Sequence, residues 1–128
     1  NTIDYDVFVM KISKKGNTKA SYFFNVYNED VKTKHLSTLK SNEIWKEIEE
    51  TQLLELDSKL TKNITKKVAF LDSGSVSIYY KKDNVMRNFY IEEPNYYIQN
   101  YSSVDEISRL NKFFLIIEKY YKIKFSTN

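Results

Sequence analysis

The chain has no cysteine, one proline, two glycines, one histidine and one tryptophan among its 128 residues. Without cysteine there are no disulfides, no thiolate metal sites and no thiol nucleophile. His35 is the lone imidazole, so a zinc site would rest on carboxylates, and no second His stands at ligand spacing. Gly16 and Gly74 lie too far apart to build a phosphate-cradling loop, which gathers its glycines in one turn. The stretch Asp72-Ser73-Gly74-Ser75 lacks the paired glycines of a nucleophile elbow and reads as a plain turn. Scarce glycine and the single Pro94 also exclude long flexible linkers and low-complexity tails. The longest apolar run, 113–117, falls far short of the roughly 18 residues a membrane-spanning helix needs.

Charge of one sign is also in short supply. The net charge is +3, from 20 Lys and Arg against 17 Asp and Glu, which lacks the excess of a dedicated nucleic-acid binder. The neighbouring acids Glu49-Glu50 and Glu92-Glu93 point in different directions on a helix or strand, so adjacency makes no catalytic dyad. No run of closely spaced oxygen ligands with a bend glycine suits calcium. The expectation is a non-enzymatic protein with no catalytic residue, no cofactor and no metal.

What the chain does have is aromatic bulk. Apolar residues make up 41%, and with 11 Tyr and 8 Phe much of any core must be aromatic. The length suits one globular domain over 1–128. The polar start Asn1-Thr2 suits a short surface tether behind a removed export signal, so a periplasmic or surface location is expected over a cytoplasmic one. A start trimmed for other reasons is the rival explanation. The wealth of Lys, Asn, Ile and Tyr reflects AT-rich codons, a matter of the genome rather than of function.

The clearest order lies in 75–91. With Asp83-Asn84 as a two-residue loop, Lys82 faces Val85, Tyr80 faces Arg87, Ile78 faces Phe89 and Val76 faces Ile91. The apolar pairs then share one face, with Tyr79/Asn88 and Ser77/Tyr90 on the other, and a slip of one residue would scatter them. An earlier hairpin is predicted from the alternation in 5–13 and 20–28 around a turn at 14–17. Residues 31–36 read as a short, lysine-guarded edge strand, and 68–71 as a short apolar strand.

Two amphipathic helices are predicted. The first starts near Asn42 with Ser41 as cap and lines up Trp45, Ile48, Leu53, Leu56 and Leu60, with a break near Thr51-Gln52. Its acidic outer face is a solvated surface or a docking surface for a basic partner. The second follows a capping-box spacing, Ser103 and Glu106, and places Leu110, Phe113, Phe114, Ile117 and Tyr121 on one stripe. Pro94 stops the second hairpin, and 96–101 reads as irregular or one helical turn. The predicted fold is α+β: an antiparallel sheet of two hairpins, about 5–6 strands in all, with both helices on one face, in the order ββ(β)α(β)ββα.

Tyrosine offers large amphipathic contact at low entropy cost, so tyrosine-rich surfaces suit protein recognition. The candidate partner-binding residues are Tyr79, Met86 and Tyr90 on the non-core face of the hairpin, and the cluster Tyr96, Tyr97 and Tyr101. An aromatic second core is the competing role for the same residues. The plan of the chain and the stretch 88–99 resemble small bacterial domains, among them exported lipoproteins and toxin-neutralising immunity proteins. That resemblance names no family and carries over no residue. It implies a small module, exported and surface-tethered or of inhibitor type, whose partner is another protein. The alternative is single-stranded nucleic-acid binding through Tyr79, Tyr80, Lys81, Lys82, Arg87 and Tyr90, where basic and aromatic residues interleave. An enzyme using carboxylates or tyrosines ranks below both.

Overall fold

Among the described residues, three strands come first, a helix follows, and a hairpin and two further helices come after it. The computed structural model describes residues 7–12, 18–24, 30–35, 38–57, 59–66, 68, 74–82 and 84–121. The predicted turn at 14–17, most of the predicted strand 68–71, and Asp83 of the hairpin loop lie outside the described residues. The chain divides into two compact units, 1–46 and 47–128.

In the first unit, β1 (Val7–Ile12), β2 (Thr18–Phe24) and β3 (Asp30–His35) form an antiparallel meander in the order β1-β2-β3. Its register pairs Met10 with Ala20 and Ser21 with Thr33. The second unit has its own two-stranded sheet, β4 (Ser75–Lys82) and β5 (Val85–Glu92). The protein is therefore α+β, as its periodicities predict, but the expected single sheet is instead two separately hydrogen-bonded ones. Alternation along a strand shows which face is buried but not which edges pair, so it does not distinguish one sheet from two.

Helix α1 (Thr38–Glu50) starts earlier than its capping signal suggests, so Ser41 lies inside it. Its buried positions are Ile44 and Ile48, while Trp45 is only half-buried. The helix ends as Gln52 takes up a left-handed backbone, φ 58°. The last turn tightens, with Thr51 N–H donating to Ile48 O at 3.2 Å and Gln52 N–H to Glu49 O at 3.0 Å. Thr51 is buried and satisfied: its hydroxyl donates to Ile48 O at 2.6 Å and accepts from Leu53 N–H at 3.2 Å. A 3-10 turn, Leu53–Glu55, follows at once. This reversal takes Leu53, Leu56 and Leu60 out of phase with α1, so they enter the core from a turn and a loop rather than from a helical stripe.

Glutamine is an awkward occupant of a left-handed position, where glycine has no Cβ to clash. Gln52 is exposed and its side chain caps nothing, so Gln52→Gly keeps every backbone bond at the turn. The substitution is expected to raise stability by about 0.5–1 kcal/mol, read as a higher urea midpoint with an unchanged slope.

The core of the second unit gathers Leu53, Leu60, Phe89, Ile91, Ile107, Leu110 and Phe114. Helix α3 (Asp105–Tyr121) supplies Ile107, Leu110 and Phe114; the last two belong to its predicted stripe, and Ile107 extends it by one turn. Its predicted capping box does not form: the Glu106 carboxylate accepts from the side-chain amide of Asn63, pinning the 61–64 turn to the start of α3. Arg109 pairs with Asp105 at 2.9 Å, as its i,i+4 spacing predicts, and also donates to Gln52 O at 2.9 Å. The guanidinium thereby ties α3 to the end of α1. Helix α2 (Pro94–Asn100) is a full short helix where the sequence suggested at most one turn, with Pro94 at its start. Pro94 thus ends a strand and begins a helix, a place where its missing N–H costs nothing.

Candidate functional site

The β4–β5 register is Lys82↔Val85, Tyr80↔Arg87, Ile78↔Phe89 and Val76↔Ile91, the pairing that the alternation and loop length predict. Phe89 and Ile91 are buried, and Val76 and Ile78 pack partly buried on the same core. The other face holds Ser77↔Tyr90, Tyr79↔Asn88 and Lys81↔Met86. Here Tyr79 is 76% exposed, Met86 71% and Tyr90 49%. Asn88 stands opposite Tyr79, with Met86 and Tyr90 two residues away on either side along its own strand. Both are diagonal neighbours of Tyr79, within reach of an aromatic side chain. Three of the six candidate residues therefore share one exposed face.

The other three form a second group. Tyr96, Tyr97 and Tyr101 stand with ring centroids 5.3, 6.2 and 6.1 Å apart, all half-buried. Tyr97 and Tyr101 lean on the hydrophobic core. Burial, then the neighbouring Tyr96, Glu92 and Tyr101, push the Tyr97 phenol above its ordinary pKa and keep it neutral.

A hollow of about 760 Å³ links the two groups. It is lined by every residue 86–92 of β5, by Leu56, Leu60 and Val68, and by Tyr97. Residues of both faces of β5 contribute, yet no described residue of β4 does. The hollow therefore runs along the outer edge of β5 rather than over a face of the hairpin. Asp57, Lys59 and Glu92 put charge of both signs at its margin. Nothing in the sequence marks this groove, because its far wall comes from Leu56 and Leu60, which read as part of a helix.

Arg87 lines this groove and a second hollow of about 310 Å³ that it shares with Tyr79, Tyr80, Met86 and Asn88. Its Nε is buried and has no hydrogen-bond partner among the described residues. Such a donor costs about 1–3 kcal/mol.

No protein-family model, curated protein or solved structure matches this chain. What it does must be argued from these surfaces. Among the described residues no three His, Cys, Asp or Glu gather as a metal-binding group, and no helix is long and apolar enough to cross a membrane. The acidic face of α1 is in part committed internally: Glu47 accepts from Lys119 Nζ at 3.2 Å, which holds the Lys119 ammonium above its ordinary pKa.

Proposed function

We propose that this chain is a non-enzymatic protein-binding module whose recognition surface is the outer face of the β4–β5 hairpin, continued by Tyr97 along the β5 groove. The observation that carries this reading is the joint exposure of Tyr79, Met86 and Tyr90 on a hairpin whose opposite face is anchored in the core. Two aromatics and a methionine are what interface centres enrich, and a rigid sheet presents them without an ordering cost. Tyr96 and Tyr101 support the surface from behind, through ring contacts with Tyr97. An exported, surface-tethered domain or an inhibitor of the immunity type would each use such a surface.

The test is affinity capture from source-cell extract and medium, comparing the native chain with Tyr79→Ala/Tyr90→Ala. Both side chains are exposed, so the variant should fold with unchanged stability. One protein held by the native chain and weakened about a hundredfold or more by the paired truncation is the expected result. Capture of nucleic acid that is released as salt rises would contradict it and favour the oligonucleotide-binding alternative.

A further inference from the structure

The hydrogen-bond phase of the hairpin shows which main-chain groups of β5 turn away from β4 and have no partner among the described residues. Glu93 N–H donates to Gly74 O at 2.8 Å, so the 74/93 position is a hydrogen-bonded pair of the antiparallel ladder. Such pairs alternate with non-bonded ones. Positions 76/91, 78/89, 80/87 and 82/85 therefore exchange bonds across the hairpin. Met86, Asn88, Tyr90 and Glu92 then turn their N–H and C=O groups away from β4. They point along the open edge, into the groove that 86–92 lines, and no described backbone group meets them there.

Resting on the protein-binding reading, we propose that the partner enters as an extended segment that adds to β5 as a third strand. A row of N–H and C=O groups repeating every roughly 6.8 Å is matched by another extended main chain. Leu56 and Leu60 form the far wall of the groove, and a single added strand would lie about 4.8 Å from β5, between it and that wall.

The lining also sets the occupant's side chains. Those on the core side meet Leu56, Leu60 and Phe89, and those on the outer side meet Met86, Asn88, Tyr90 and Glu92, so apolar residues suit the first face and mixed ones the second. The Arg87 guanidinium lines the groove near the loop end of the strand, where an Asp or Glu would complement its charge. The occupant is a short strand, apolar on one face, carrying one acidic residue.

The test selects binders from a displayed library of random 12-residue peptides against the full chain, then reads amide exchange by NMR. In the free protein, Met86, Asn88, Tyr90 and Glu92 amides should exchange fast while Arg87, Phe89 and Ile91 amides are protected. Saturation with a selected peptide should slow the first four about tenfold or more. N-methylation of the peptide at alternate residues should weaken binding about tenfold, the loss of one or two backbone bonds. Asn88→Pro deletes one outward donor at an edge position that tolerates proline, and should have the same effect while Phe89 stays protected. The proposal is overturned if the four amides are already protected in the free protein, or gain protection only as protein concentration rises, which would put a second copy there. It is equally overturned if the library yields no binder. Binding that is lost in Tyr79→Ala/Tyr90→Ala but indifferent to N-methylation and to Asn88→Pro would sink strand addition and leave the protein-binding reading standing.

Discussion

Leu110→Ala should lower the unfolding free energy by about 3–4 kcal/mol. Leu110 lies on α3, fully buried, in the core cluster that joins the hairpin, the 3-10 turn and the helix. Truncation removes the transfer free energy of the side chain and leaves a cavity bounded by Phe89, Phe114 and their neighbours, which are fixed on different elements and cannot collapse together. Urea unfolding followed by circular dichroism measures it. The expected result is a lower midpoint with an unchanged slope, and a loss below about 1 kcal/mol would mean that α3 does not seal this core.

The second large effect contrasts two adjacent residues. Phe89→Ala should cost about 3–5 kcal/mol, whereas Tyr90→Ala should stay within about 0.5 kcal/mol. Phe89 is buried against the core, and Tyr90 is half-exposed on the opposite face, with only a long 3.4 Å contact from its hydroxyl to Glu92. Side chains alternate along a strand, so the register decides which of the two neighbours matters. A ladder displaced by one residue would exchange the two values. Parallel denaturation curves of the variants therefore check the register from which the site is built.

The hairpin was legible because two independent signals agree in it: a two-residue loop that sets the register, and an apolar alternation that only this register leaves on one face. Helix α3 was legible for a similar reason, since Leu110, Phe114 and Ile117 repeat at helical spacing and all are buried. The break near Thr51-Gln52 is legible in the sequence and falls where Gln52 turns left-handed, but the stripe carried across it is not one helical face: Ile44 rather than Trp45 is buried, and the leucines beyond answer to a different geometry. Helix α2 reads in the sequence as one turn at most because Pro94 signals the end of a strand and the start of a helix with the same chemistry. The tyrosines of the candidate site could be named from sequence, but their exposure could not, since Tyr79 and Tyr97 are the same residue type in different surroundings. The β5 groove was beyond reach altogether, because it exists only through the approach of a loop distant in sequence.

Met86 is a reporter placed in the middle of the proposed binding surface. Met86 is 71% exposed beside Tyr90 and Asn88 and lines both hollows, so dilute peroxide should oxidise it readily in the free protein. The decisive measurement is its oxidation rate, located by mass spectrometry, in the free chain and in the complex with the captured partner. A slowing of about tenfold or more in the saturated complex is the predicted result. An unchanged rate at saturation would place the partner elsewhere and contradict the account.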